Sequence, residues 1–101
     1  MNYQVRFVDE IEEDLYSAYS WYEGKSHGLG EDFLRVFYAK ITELSRMPSM
    51  YEKLFLEFRR CLLRRFPYSV YYIIENDTIV IYGLFHTARD PKFIQESLYS
   101  R

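Results

Sequence analysis

The sequence predicts an α+β fold of order β-α-α-β-β-β, a helical hairpin packed on one face of a four-stranded, mainly antiparallel sheet. Three features predict it. Residues 10–46 contain two apolar stripes at helical spacing, separated by a glycine-containing break. Residues 59–86 contain three successive strand-like runs, the last two almost wholly apolar or aromatic. Tyr3-Gln4-Val5-Arg6-Phe7 alternates apolar with polar, the period of a strand with one covered face.

The elements follow in order. After the first strand, Asp9 offers a helix N-cap, and Glu10, Glu12, Glu13 and Asp14 suit the positive end of a helix dipole. Ile11, Leu15, Ala18 and Tyr22 then form one stripe. Gly24 and Ser26-His27-Gly28 turn the chain. A second helix starts near Leu29, carries Phe33, Val36, Phe37, Ile41 and Leu44, and stops at Pro48. Residues 47–58 are expected to connect helix to sheet, with no element assigned.

Along the next strand, Arg60, Leu62 and Arg64 are expected to face one way and Cys61, Leu63 and Arg65 the other. Phe66-Pro67-Tyr68 makes a turn. Val70, Tyr72 and Ile74 share one face of the following strand, Tyr71 and Ile73 the opposite one. Asn76-Asp77 is a two-residue hairpin loop of a type that tolerates positive φ. The last strand runs Ile79–Phe85, with Gly83 marking a bulge or a close approach. After Pro91, Phe93, Ile94 and Leu98 can anchor a helical turn. The sheet face away from the helices, carrying Tyr and Arg, is expected to stay partly open as a partner surface, the alternative being that the C-terminal segment covers it.

One domain, residues 1–101, is the expectation for a chain of this length. Its apolar fraction of 49% and aromatic fraction of 20% exclude the composition of a disordered chain. Cys61 is the sole cysteine, so no intrachain disulfide can form, and its setting reads as a small buried hydrophobe. No apolar run approaches the roughly 20 residues that span a bilayer. The expected location is the cytoplasm, with no membrane partner.

Charge is divided unevenly. Residues 1–58 carry six Lys/Arg against eleven Asp/Glu, whereas residues 59–101 carry seven against four. An overall net of −2 argues against general nucleic-acid binding, which accumulates cations on phosphates. Neither histidine has ligand-spaced companions, and no phosphate-binding glycine loop is present, so no metal or cofactor is expected. The chemical candidates are Arg64, Arg65, His86 and Arg89, with Tyr72 and Tyr82 near them in register. A histidine that moves protons beside arginines that hold a phosphate suits metal-free phosphodiester cleavage. The simpler alternative is an Arg89–Asp90 pair pinning the turn before Pro91.

Trp21-Tyr22-Glu23, Gly28-Leu29-Gly30-Glu31-Asp32-Phe33, the run Arg65-Phe66-Pro67-Tyr68-Ser69-Val70-Tyr71-Tyr72 and the ending His86-x-x-Arg89-Asp90-Pro91 resemble the RelE/ParE toxin superfamily. The resemblance extends over nearly the whole chain. It implies a toxin of a bacterial type II toxin–antitoxin (plasmid stabilisation) module, with the fold given above and a cognate antitoxin that wraps and silences it. The RelE branch cleaves mRNA on the ribosome, and there an arginine typically follows the aromatic residue that opens the strand beginning here at Tyr68. This chain has Ser69 at that position, and Phe93 where a C-terminal tyrosine is often used, with Tyr99 further on. These departures and the acidic balance favour the ParE branch, which implies binding and inhibition of DNA gyrase. Two alternatives stay open: a RelE-like nuclease using Arg65, His86 and Arg89, and a non-toxic interaction module. The expected antitoxin contact comprises Arg60, Arg64, Arg65, Tyr72 and Tyr82, facing an acidic or amphipathic segment.

Overall fold

The computed structural model describes residues 2–101. The elements are β1 (Gln4–Phe7), α1 (Glu10–Lys25), α2 (Leu29–Arg46), a 3-10 turn (Pro48–Met50), β2 (Lys53–Phe55), β3 (Phe58–Leu62), β4 (Tyr68–Glu75), β5 (Thr78–His86) and α3 (Pro91–Ser100). The α+β class and the helical hairpin are as expected. The sheet has five strands rather than four, in the order β1-β5-β4-β3-β2. The additional strand, β2, lies in the connector that the sequence left without an element. It is three residues long, too short for its alternation to register. β1 pairs parallel with β5, and every other pairing is antiparallel.

α1 and α2 cover one sheet face. Phe33, Phe37, Leu44, Val70, Tyr72, Ile79 and Ile81 form the centre of that core, each fully buried. Phe33 and Tyr22 meet Phe66 and Tyr68 with ring centroids 4.8–6.1 Å apart, which joins the turn of the hairpin to the start of β4. α3 lies on the opposite face, where Ile94 and Leu98 pack with Phe58, Tyr71 and Phe85.

Local chemistry departs from expectation at three caps. Asp9 stands before α1 in helical conformation and makes no side-chain cap bond, because its backbone already turns into the helix. Glu23 supplies a cap instead: its carboxylate accepts from Gly28 N at 3.0 Å and Gly30 N at 3.0 Å, closing the α1–α2 turn. Asp90 accepts from Lys92 N at 3.0 Å and caps α3, in place of the expected pair with Arg89. Arg89 lies over Phe93, 4.1 Å from the ring centroid.

A bulge interrupts the β4–β5 ladder. Tyr71 pairs with Gly83 but Tyr72 pairs with Ile81, so Tyr82 is the extra residue. Gly83 also marks the expected close approach. A Cβ there would stand 2.6 Å from the Phe85 ring and 3.1 Å from Leu98.

Candidate functional site

Sheet register decides which candidate residues can meet. Directly paired residues share a face, and neighbours along a strand alternate. Tyr68 pairs with His86, and both lie on the helical-hairpin side, with ring centroids 5.2 Å apart. Ser69 pairs with Phe85, so both face α3. Arg60 and Leu62, paired with Tyr71 and Ser69, also face α3, while Cys61 and Leu63 turn toward the hairpin as expected.

The candidates therefore divide. On the hairpin side, a cleft of about 310 Å³ between α1, the end of β5 and α3 holds Tyr68, His86 and Arg89 opposite Glu10, Glu13 and Ser17. His86 Nδ1 accepts from Ala88 N at 2.9 Å, which leaves Nε2 as the free ring nitrogen. Burial pushes the Tyr68 hydroxyl pKa up, and nearby Tyr22 adds to this, against a smaller opposing effect of Arg89. Arg65 stands at positive φ, pairs with Asp32 of α2 at 3.5 Å and covers the Phe66 ring at 5.0 Å. Arg64 is exposed and lines neither cleft.

On the α3 side, a groove of about 500 Å³ runs between the β2–β3 hairpin and α3. Arg60, Ser69 and Arg89 line it, with Leu54, Leu62 and Ile94 among its apolar walls. It contains two arginines and no carboxylate. Arg89 stands at the junction of the two clefts.

Of the expected partner contacts, Tyr72 is excluded. It is fully buried among the core side chains, and its hydroxyl donates to Pro48 O at 2.5 Å. A large aromatic on the even face of β4 is core, because that face meets the helices. Tyr82 is half-buried against Phe58 on the opposite face, with centroids 5.1 Å apart. Arg60, Arg64 and Arg65 are all exposed, yet they do not form one patch, since Arg60 and Arg65 lie on different sides of the sheet.

Sequence reasoning missed several participants. Leu54 and Leu62, which line the groove, are 54% and 56% exposed, and Leu56 at the turn between β2 and β3 is 62% exposed. Their apolar character on a solvent-facing hairpin was the available signal. Lys40 lies beside Ile41 on the apolar side of α2, where a charge has no sequence signal of its own. It is buried, and its ammonium donates to Glu43 at 3.1 Å and Tyr51 at 3.4 Å. Burial works to lower its pKa, but Glu43 and Tyr51 outweigh burial and the net shift is upward. Cys61 is buried as expected, and burial pushes its thiol up to about 12. Among the described residues no group of three His, Cys, Asp or Glu could hold a metal ion, and no helix is long and apolar enough to cross a membrane.

Comparison with known proteins places this geometry. The family described as "ParE toxin of type II toxin-antitoxin system, parDE" matches residues 5–91. Toxin ParE2 of Mycobacterium tuberculosis is 24% identical over 102 residues, covering all of this chain and 97% of the relative. The fold matches a chain of the chromosomal ParDE system of P. aeruginosa, with a TM-score of 0.71 at 15% identity, covering 83% of this chain and 95% of that one. It also matches a chain of the toxin–antitoxin complex RelBE2 of M. tuberculosis, with a TM-score of 0.64 at 24% identity, covering 88% and 95%.

Proposed function

The chain belongs to the family of ParE toxins of type II toxin–antitoxin systems, and from that membership we propose that it acts by binding and inhibiting a cellular target, DNA gyrase, rather than by cleaving RNA. A cognate antitoxin neutralises it. The ParDE and RelBE2 systems matched in fold, each described as a toxin–antitoxin system or complex, support that partner.

One observation carries the preference for binding over cleavage. Metal-free cleavage needs a proton-transfer group and the cations that stabilise the phosphate at one point in space. Here His86 and Tyr68 lie on the hairpin side of the sheet, Arg60 lies on the α3 side, and Arg65 is held by Asp32. Ser69 supplies no charge between them.

The test is a direct comparison of activities for the purified protein. Gyrase supercoiling should be inhibited, and ribosome-bound mRNA should stay intact. Ribosome-dependent cleavage that His86→Ala abolishes would overturn the proposal. The second reading, a RelE-like nuclease, has one observation in its favour: Tyr68, His86 and Arg89 line the same 310 Å³ cleft. That cleft also presents Glu10 and Glu13, which repel a phosphate. Unimpeded growth on expression without the antitoxin would sink both readings and leave a non-toxic interaction module.

A further inference from the structure

The β2–β3 hairpin ends in a two-residue turn, Leu56-Glu57, between the paired residues Phe55 and Phe58. Leu56 stands at φ 51°, the left-handed region that L side chains rarely adopt. The β4–β5 hairpin has the same need at Asn76, φ 55°, and meets it with a residue whose short polar side chain tolerates that region. Leu56 has no such compensation. Its side chain is 62% exposed, so burial does not offset the strain either. An unfavourable backbone conformation and an apolar side chain held in water at one position point outward, to a partner that buries the leucine.

The surroundings describe that partner. Leu54 and Leu62, both exposed, line the groove at the foot of the hairpin, and that groove carries Arg60 and Arg89 without a carboxylate. Glu57 at the turn is neutralised by Lys53 at 2.9 Å. In a chain with more acids than bases, this face is thus apolar and cationic. The groove between α1 and α2 has the opposite character: Glu12 and Glu31 beside Tyr16, Tyr19 and Tyr38, and no cation. One partner segment cannot complement both by charge. Leu56 itself is not among the residues that line the groove: it sits at the turn, and an exposed leucine there is best buried by a pocket on a folded partner.

We propose that the tip of the β2–β3 hairpin, Leu54 and Leu56 with Leu62 and Arg60, is the surface that engages the poisoned target, and that it inserts into an apolar pocket with an acidic rim on a folded protein. This rests on the reading of the chain as a toxin that acts by binding, and it assigns the target-facing surface within that reading.

Leu56→Asn separates the proposal from a purely structural role, because asparagine suits the turn while removing the knob. Arg60→Glu reverses the charge of the groove. Each full-length variant is expressed without antitoxin to score growth arrest, and purified for gyrase supercoiling inhibition, thermal melting and capture of the protein encoded by the adjoining reading frame. The expected result is at least a ten-fold rise in the concentration needed for inhibition, with relieved growth arrest. The melting midpoint of Leu56→Asn should be unchanged or higher, and capture of the adjoining protein unchanged. Inhibition equal to the wild type in both variants overturns the assignment. So does loss of capture with toxicity intact, which would give the surface to the antitoxin. A wild-type protein that arrests no growth refutes the reading of function itself, an outcome distinct from either failure of the surface.

Discussion

Replacement of Asp14 tests how α3 is held on the sheet. β1 ends at Phe7, opposite Ile81, so the outer edge of β5 beyond that point has no strand beside it. Asp14 of α1 fills part of the gap: Leu84 N donates to its Oδ2 at 3.1 Å. Arg101, just past α3, donates to the same carboxylate at 2.7 and 3.1 Å and to Tyr82 O at 2.9 Å. Both side chains are 13% exposed. The pair therefore seals the strand edge and ties α3 to α1 at once.

α3 buries only Ile94 and Leu98 of its apolar residues. Two such side chains contribute about 3–6 kcal/mol. Ordering ten residues of backbone costs about 10 kcal/mol or more before intrahelical bonds offset it. Attachment is thus marginal without the ion pair. Removing one member of a buried pair typically costs about 3–5 kcal/mol. The residual exposure here places Asp14→Ala near the lower figure, about 3 kcal/mol. Asp14→Asn keeps an acceptor for Leu84 N and should cost about half as much. Urea denaturation gives the stability, and hydrogen exchange of residues 91–100 reports on α3. In Asp14→Ala those amides should lose protection before the core of β4 and β5 does. A cost below about 1 kcal/mol, or α3 protection equal to the wild type, would refute the reasoning.

Three further outcomes follow from buried or capping groups. Because burial raises the Cys61 thiol to about 12, alkylating reagents at pH 8 should modify it only as fast as the protein unfolds; prompt modification would contradict its burial. The same shift makes the neutral thiol the folded form, so its contribution is complete below the unfolded pKa of about 8.5 and declines above it. Gly28 N–H, then Gly30 N–H, holds the Glu23 carboxyl below its ordinary value of 4.5, so the cap stabilises above that pH and is lost as pH falls through the depressed value. Glu23→Gln should lower the melting midpoint at pH 7, the difference should shrink as pH falls through the depressed value, and a constant difference across that fall would count against the cap. Tyr72→Phe leaves Pro48 O without its buried donor and should cost about 1–2 kcal/mol by denaturant titration, with an unchanged midpoint excluding the bond.

The helices were legible because their stripes are long: Phe33, Phe37, Ile41 and Leu44 recur at the helical intervals of four, four and three, and all are buried. Strand faces were legible for the same reason at period two, as with Val70, Tyr72 and Ile74 against Tyr71 and Ile73. β2 was not, since three residues with the exposure pattern exposed-exposed-half-buried carry no period. Tyr72 as a partner contact failed through composition: tyrosine occupies cores and interfaces alike, and only the helix-covered face of β4 decides between them. The Asp14–Arg101 pair joins residues at opposite ends of the chain and has no local signature at all.

The grouping of the candidate cations depended on one residue. Ile79 and Ile81 face the hairpin, and an unbroken strand would carry that parity on to Gly83 and Phe85, leaving His86 on the α3 side with Ser69 and Arg60. The bulge at Tyr82 reverses the parity, so Leu84 and His86 face the hairpin and Phe85 faces α3. His86 is thereby separated from Arg60 by the thickness of the sheet, while Arg89, at the junction, lines both clefts. Beside the bulge, Gly83 lets the Phe85 ring come within 2.6 Å and Leu98 within 3.1 Å of where a Cβ would stand. The bulge thus takes His86 out of the groove and leaves that groove a cationic, apolar surface suited to binding.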